Sequence, residues 1–257
     1  MTELRTVRKL NPGIIYGPVQ SRRFGKSLGI NISGRGKFCS FNCPYCFRGM
    51  NQGRPTSSYF KKNLPSSEEV LDSLTRFLES TPTEEIEDWS IAGNAEPTDN
   101  PAFPEIIGRL IALRDREFQG VKLTVLTNGM GLIPRLNSSY CDVVEALNLV
   151  DRACLKLDSG IDSTWKQLAR PFPKIDLAEW LSAANKVEKP VIQTMLVKGR
   201  INNSTTAELD ALLDCYRQLQ VKEINLLTLD KQPLDGRLEP IGNDDLKRVQ
   251  DLVSGCL

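Results

Sequence analysis

Three of the chain's seven cysteines lie in one short run, Cys39-Ser-Phe-Asn-Cys43-Pro-Tyr-Cys46, with the spacing C-x3-C-x2-C. Three thiolates on one loop can ligate three irons of a [4Fe-4S] cube. Because no fourth cysteine stands nearby, the fourth iron would keep a site for another ligand. The spacing therefore predicts an iron-sulfur centre, with Cys39, Cys43 and Cys46 as its metal ligands.

Zinc is the competing metal for a cysteine-rich loop. A structural zinc ion takes four protein ligands, usually completed by a second pair of Cys or His residues. The chain contains no histidine, and its other cysteines are scattered, at Cys141, Cys154, Cys215 and Cys256. Iron-sulfur is therefore favoured over zinc. We expect the scattered cysteines to be ordinary buried thiols, with Cys154 a speculative hydrogen-atom donor.

The loop is similar to the signature of the radical S-adenosylmethionine (SAM) superfamily, C-x3-C-x-aromatic-C, with Tyr45 as the aromatic residue. The segment Tyr16-Gly-Pro-Val-Gln-Ser-Arg-Arg-Phe-Gly-Lys-Ser-Leu-Gly-Ile-Asn31 resembles the subgroup that includes the wyosine-forming tRNA enzymes. Their second cluster, which uses cysteines before the loop, has no counterpart here. The resemblance implies a [4Fe-4S] cluster that binds and reductively cleaves SAM, giving a 5'-deoxyadenosyl radical that abstracts hydrogen from a substrate.

Two further segments resemble SAM-binding motifs of that superfamily. Ala92-Gly-Asn-Ala-Glu-Pro97 is similar to the Gly-Gly-Glu-Pro motif, with Asn94-Ala95 in its middle. The resemblance implies that Gly93, Asn94 and Glu96 hold the SAM amino group, whose protons need acceptors. Asn128, in Thr-Asn-Gly, matches a combination found near SAM, and it is equally a plain turn signal.

The segment Cys154-Leu-Lys-Leu-Asp-Ser159 alternates as a strand and puts Lys156 and Asp158 on one face. Lys156 could neutralise the SAM carboxylate and Asp158 could accept from the ribose hydroxyls; the alternative is an internal salt bridge. The resemblance also places Gln193 at the ribose, although a hydrogen-bonded core glutamine is the alternative. It places Leu229 and the backbone of Tyr45 beside the adenine.

Strand-like and helix-like segments alternate after the cysteine loop, which favours repeated βα units around a parallel sheet. The predicted strands are 28–33, 89–92, 122–127, 153–157, 191–197 and 223–229. Helices are predicted from the capping box at Ser66 and Glu69, from near Pro104, over 162–186 with a break at 171–173, over 205–219 and near 244–253. Eight units would close a barrel, and six leave it open. The predicted class is therefore α/β, a partial (β/α)6 TIM-like barrel with parallel strands, open on one side, as the resemblance also implies.

Length and composition fit one domain. The chain has 257 residues, of which 40% are hydrophobic, enough for a single core. We predict one domain over 1–257, with a basic N-terminal segment at 1–27 and the partial barrel at 28–257. No apolar run approaches the ~20 residues that span a bilayer, and clustered, odd-numbered cysteines fit a reducing compartment. A cytoplasmic location without membrane contact is expected.

The net charge of +1 conceals an asymmetry along the chain. Residues 1–62 hold twelve Lys and Arg against the single acid Glu3, so they carry +11 and the remainder carries −10. Such a segment could attract an anionic substrate such as a nucleotide or RNA, or an acidic electron donor of the flavodoxin or ferredoxin type. The alternative is a solvated basic surface without a partner.

Two other functions remain open from the sequence. One is an RNA-binding protein with a structural iron-sulfur cluster, whose affinity would fall steeply with salt. The other is an activase that installs a glycyl radical on a partner enzyme. Tight RNA binding without SAM cleavage would favour the first, and capture of a large enzyme partner would favour the second.

Overall fold

The computed structural model describes residues 10–21, 23–81 and 85–255, so Cys256 and the first nine residues lie outside the described part. These residues form two compact units. The N-terminal unit contains Leu10–Ser40 and Asn51–Ala153, and the C-terminal unit contains Phe41–Met50 and residues 154–255. The prediction of a single domain stays a prediction.

The strands of the N-terminal unit are β1 (Ile15–Ser21), β2 (Gly25–Ile30), β3 (Asp88–Ile91) and β4 (Lys122–Thr127). β1 pairs antiparallel with β2, whereas β2, β3 and β4 pair in parallel. The sequence did not predict β1, because Gly17-Pro18 is typical of a turn. In the structure the register shifts between Tyr16 and Val19, where Gly17 has a φ of +106°, so the strand absorbs the dipeptide as a bulge.

The helices of the N-terminal unit are α1 (Ser58–Lys62), α2 (Ser67–Ser80), α3 (Phe103–Glu117) and α4 (Tyr140–Leu149). The predicted capping box at the start of α2 is present, with Ser66 and Glu69 each bonding the other's backbone N–H. α4 was not predicted, and no side-chain cap marks its start at Ser139. α2 buries Val70 and Leu74 and α3 buries Ile106, Ile107 and Leu110, whereas Phe77, Leu78 and Ile111 on the same predicted faces are half-buried.

The C-terminal unit contains most of β5 (Arg152–Lys156), followed by β6 (Val191–Gly199), β7 (Glu223–Thr228) and β8 (Leu238–Pro240). β5, β6 and β7 pair in parallel, and β8 pairs antiparallel with β6. The helices are α5 (Asp162–Ala169), α6 (Leu177–Ala184), α7 (Thr206–Leu219) and α8 (Asn243–Ser254). The predicted break in the helical region around 171–173 is confirmed, because α5 ends before it and α6 begins after it.

The predicted fold class, an α/β fold with a mostly parallel, open sheet of the partial-barrel type, is confirmed in the described residues. Each of the six predicted strands corresponds to one of β2 to β7, and the 122–127 strand has the predicted limits. Short apolar runs between turn signals made these strands visible in the sequence, since both faces of a parallel sheet are covered. In the described part, no helix is long and apolar enough to cross a membrane.

Candidate functional site

The first predicted ligand, Cys39, belongs to the N-terminal unit and is half-buried. Asn51 fixes its backbone from both sides, because the Asn51 Nδ2 donates to the Cys39 carbonyl at 2.7 Å and the Cys39 N–H donates to Asn51 Oδ1 at 3.3 Å. The Cys39 Sγ lies 3.6 Å from Nδ2 of Asn128. The backbone and the sulfur of Cys39 are thus both held in place by asparagine amides.

Cys43 and Cys46 belong to the C-terminal unit. The Cys46 N–H donates to the Cys43 carbonyl at 3.1 Å, which makes a turn between the two ligands. Further backbone bonds anchor this turn: Asn42 N–H to the Ala169 carbonyl at 3.0 Å, and Asp235 N–H to the Pro44 carbonyl at 2.8 Å. Cys43 is buried and Cys46 is half-buried. The loop is therefore held in place by the last residue of α5 and by the segment between β7 and β8.

Burial raises the pKa of the Cys43 thiol to about 12, although the positive charge of Lys156 acts in the opposite direction. Desolvation penalises the thiolate because a charge is costly in a low-dielectric interior. Iron binds the thiolate, so ligation at Cys43 has to release a proton. In the described residues, no three Cys, Asp or Glu side chains are grouped closely enough for one metal ion. Ligands of a [4Fe-4S] cube each bind a different iron.

Glu96 follows β3, is buried, and accepts several hydrogen bonds within the N-terminal unit. Its Oε1 accepts from the Thr98 hydroxyl at 2.7 Å and the Thr127 hydroxyl at 2.5 Å, and its Oε2 accepts from the Asn128 N–H at 2.7 Å. Burial nevertheless raises the pKa of Glu96. The carboxyl group thereby joins the turn after β3 to the end of β4. The sequence did not predict a role for Thr98 or Thr127, because no local pattern links either residue to Glu96.

The turn that holds Gly93 and Asn94 is braced by the N-terminal segment of its own unit. The Tyr16 hydroxyl donates to the Ala92 carbonyl at 3.1 Å, and the Asn94 N–H donates to Asn31 Oδ1 at 3.2 Å. A side chain at Gly93 would collide with the Asn31 amide. The segment 16–31 therefore supports the turn at 92–94 through hydrogen bonds and close packing, which is a structural role for the residues that carry the resemblance.

The Asn94 side chain is occupied within the N-terminal unit. Its Oδ1 accepts from the Asn11 N–H at 2.8 Å, and its Nδ2 donates to the carbonyls of Asn11 and Gly34, each at 2.9 Å. These bonds tie the turn after β3 to the segments around residues 11 and 34. A contact of Asn94 with SAM, which stays a prediction, would use backbone groups of the turn.

The C-terminal unit brings together Tyr45, Lys156 and Asp158. The Tyr45 hydroxyl donates to Asp158 Oδ2 at 2.5 Å, and the Lys156 Nζ donates to Oδ1 at 3.1 Å. The Lys156 Nζ also lies 4.9 Å from the centre of the Tyr45 ring. Burial and the charge of Asp158 raise the pKa of Tyr45 far above its usual range, so its hydroxyl stays a donor. The internal salt bridge considered from the sequence is present, and the predicted SAM contacts of both residues stay predictions.

Gln193 lies on β6 opposite Lys156 of β5. Its side chain is buried, and its Nε2 has no hydrogen-bond partner within the described residues. An unpaired buried donor costs ~1–3 kcal/mol, so this amide favours an acceptor supplied by a ligand over the satisfied core glutamine. Leu229 directly follows β7 and is buried, as an adenine-packing residue would be.

The scattered cysteines differ from one another. Cys154 and Cys215 are buried, as expected, but Cys141 is exposed, so the expectation of burial is wrong for it. Cys141 is the second residue of α4, a helix that the sequence did not predict. Cys154 stays a speculative hydrogen-atom donor.

Comparisons with known proteins agree with these observations. The family described as "Radical SAM superfamily" matches residues 35–212, more than half of the chain. A relative from Helicobacter pylori named UPF0026 protein is 28% identical over 253 residues, covering 96% of this chain and 76% of its own length.

Two solved structures have a similar fold. A radical SAM methyltransferase from Sphaerobacter thermophilus is 16% identical with a TM-score of 0.62, covering 90% of this chain and 63% of its own length. Streptococcus suis SuiB bound to S-adenosylmethionine is 17% identical with a TM-score of 0.61, covering 88% of this chain and 46% of its own length. This chain thus spans less than two thirds of either. Radical SAM enzymes use a [4Fe-4S] cluster and SAM, and this chain belongs to the radical SAM superfamily.

Proposed function

We propose that this chain binds a [4Fe-4S] cluster through Cys39, Cys43 and Cys46, binds SAM, and abstracts a hydrogen atom from an anionic substrate. The observation that carries the proposal is the complete three-cysteine loop, with its backbone fixed on both sides of the ligands. When bound, the cluster and SAM supply a one-electron cleavage of a carbon-sulfur bond, which yields methionine and a 5'-deoxyadenosyl radical.

In the N-terminal unit, Cys39 would hold one iron. The turn after β3 would accept from the SAM amino group through Gly93, Asn94 and Glu96. Support comes from the rigidity of this turn, which Tyr16, Asn31 and the Glu96 hydrogen bonds hold in one conformation. A preorganised turn loses less conformational entropy when it binds a ligand.

In the C-terminal unit, Cys43 and Cys46 would hold two more irons. The Lys156 ammonium is about one fifth exposed and has donors beyond its bond to Asp158, which suits a carboxylate ligand. Asp158 and the Gln193 Nε2, which has no hydrogen-bond partner among the described residues, would bind the ribose. The Leu229 side chain and the backbone of Tyr45 would lie beside the adenine.

The substrate class is proposed from charge. The exposed basic residues of the N-terminal unit include Arg35, Arg54, Lys61 and Lys62. They belong to the segment that carries +11, and they suit a nucleotide or RNA substrate. Radical SAM enzymes need a reductant, and we propose an acidic donor of the flavodoxin or ferredoxin type for this one.

The proposal is tested by anaerobic reconstitution with iron and sulfide, followed by dithionite and SAM. We expect 5'-deoxyadenosine and methionine in equal amounts, quantified by liquid chromatography, and none in protein treated without iron. An intact cluster, verified by electron paramagnetic resonance, without 5'-deoxyadenosine would contradict the proposal. That result would favour a binding protein with a structural cluster.

Gln193→Leu is expected to weaken SAM binding without destabilising the protein. The variant removes an amide whose Nε2 has no partner in the described residues, so the apoprotein loses little, whereas bound SAM loses a hydrogen bond worth ~0.5–1.5 kcal/mol. The dissociation constant for SAM should therefore rise roughly two- to tenfold. Calorimetric SAM titration and thermal unfolding measure the two effects.

Thr194→Val is the matched control one residue away. Its hydroxyl donates to the Leu157 carbonyl at 2.6 Å and bonds the Tyr216 hydroxyl at 2.6 Å. We expect this variant to unfold at a lower temperature and to keep its SAM affinity. A Gln193→Leu variant that loses stability but binds SAM normally would show that Gln193 is a core residue.

A further inference from the structure

The Asn128 amide faces a predicted cluster ligand within the N-terminal unit. Its Nδ2 lies 3.6 Å from the Cys39 Sγ and 3.0 Å from the Ser40 Oγ. This is a normal distance for a hydrogen bond to sulfur, whose van der Waals radius exceeds that of oxygen. Asn128 is buried, so solvent weakens the interaction little.

The contact of the other polar atom of the Asn128 side chain, Oδ1, fixes the orientation of the amide. Asn128 Oδ1 accepts from the Met130 backbone N–H at 2.9 Å. A backbone N–H can only donate, so the atom that it faces has to be the amide oxygen. The NH2 group therefore points to Ser40 and Cys39. The backbone N–H of Asn128 donates to Glu96 Oε2 at 2.7 Å, so the backbone of Asn128 is held in place as well as its side chain.

A donor at this position acts on the charge of the ligand sulfur. A cysteine thiolate bound to iron carries negative charge, and that charge increases when the cluster takes up an electron. A hydrogen bond to the sulfur therefore stabilises the reduced state more than the oxidised state. Hydrogen bonds to the sulfurs are among the factors that set the reduction potential of such clusters, and residues behind metal ligands tune the metal in the same way.

We propose that Asn128 is a positioning residue that donates a hydrogen bond to Cys39 and raises the reduction potential of the cluster. The proposal rests on the proposed function, because it needs a cluster on Cys39. It gives the Asn128 side chain a role distinct from the SAM contact predicted from the sequence. The cluster of a SAM-cleaving enzyme is hard to reduce, and a donor here makes its reduction by a physiological carrier easier.

The test compares three variants of the reconstituted protein. Asn128→Asp keeps an acceptor for Met130 and places oxygen in place of the donor, whereas Asn128→Leu removes the donor without adding charge. Ser40→Ala removes the neighbouring hydroxyl and leaves the Asn128–Cys39 bond. The reduction potential is measured by a redox titration followed by electron paramagnetic resonance, without SAM.

We expect both Asn128 variants to have more negative potentials than the wild type, and Ser40→Ala to match it. At the wild-type midpoint, the ratio of reduced to oxidised cluster should fall roughly three- to tenfold, less than the full strength of a hydrogen bond to a charged group implies, because the sulfur carries negative charge in both redox states. The iron–cysteine stretching frequency in resonance Raman spectra should rise, because the donor no longer withdraws electron density from the sulfur. Unchanged potentials in both variants, at full iron content, would overturn the proposal.

A second measurement does not depend on the Asn128 variants, should they fail to assemble a cluster. Protein with 15N in its asparagine side chains is reduced, and pulsed electron paramagnetic resonance is used to detect coupling of that nitrogen to the cluster. Coupling that persists in Asn51→Asp, which removes the amide nitrogen at the Cys39 carbonyl, supports the proposal, and the absence of coupling in the wild type overturns it. A wild type that forms a cluster but does not cleave SAM refutes the proposed function and leaves the potential measurement decisive. A wild type that forms no cluster refutes both.

Discussion

Cys43→Ala is expected to abolish SAM cleavage, with 5'-deoxyadenosine falling at least ~100-fold to background. Loss of residues behind a metal ligand already costs 10- to 100-fold, and loss of one of three ligands removes the support of one iron. Cys43 is buried in a turn fixed by backbone hydrogen bonds, so its sulfur has a defined position, and alanine offers no iron ligand there. Iron and sulfide content, the electron paramagnetic resonance spectrum and product formation are the measurements.

Cys215→Ala provides the matched control. Cys215 is also buried, and burial raises the pKa of its thiol to about 11, but it lies on α7, outside the cysteine loop. This variant should retain its iron and its product. Full iron content and product in Cys43→Ala would show that the loop does not ligate the cluster. Equal losses in both variants would point to a general effect of removing a buried thiol.

The second large effect is expected for Asp88→Ala, which should lower the free energy of unfolding by ~3–5 kcal/mol. Asp88 begins β3 and is fully buried in the N-terminal unit. Its carboxylate accepts from hydroxyls of Ser27 and Thr124, and it pairs with Arg152 at 3.3 Å. The variant would leave the half-buried Arg152 guanidinium without this carboxylate. Chemical denaturation of the apoprotein measures the loss.

Two control variants show whether the loss in free energy of unfolding comes from the buried hydrogen bonds and ion pair of Asp88 or is as small as that for a surface ion pair. Asp88→Asn keeps the shape and one acceptor of the side chain, so it should cost less than Asp88→Ala. Arg109→Ala breaks exposed ion pairs with Glu105 and Glu68 and should cost under ~1 kcal/mol. If Asp88→Ala costs no more than Arg109→Ala, the buried network does not stabilise the strands as argued.

Local sequence patterns predicted most of the fold. Strands β2 to β7 were visible because buried parallel strands are short apolar runs between turn signals. The start of α2 was visible because a capping box uses residues three positions apart. β1 escaped prediction because its glycine and proline form a bulge, which depends on pairing with β2. α4 escaped prediction because its start has no side-chain cap.

The sequence by itself determined the ligand set, since the spacing of Cys39, Cys43 and Cys46 is local and chemically specific. Only the tertiary structure decided the surroundings of the predicted residues. Asn128 is 89 positions from Cys39, and Tyr16 is 76 positions from Ala92, so no local pattern joins them. Likewise, the unpaired amide of Gln193 is recognised only when every neighbour that could accept from it is known. Spacing along the chain fixes which groups can do chemistry, whereas hydrogen bonds between distant segments fix how those groups are oriented and charged.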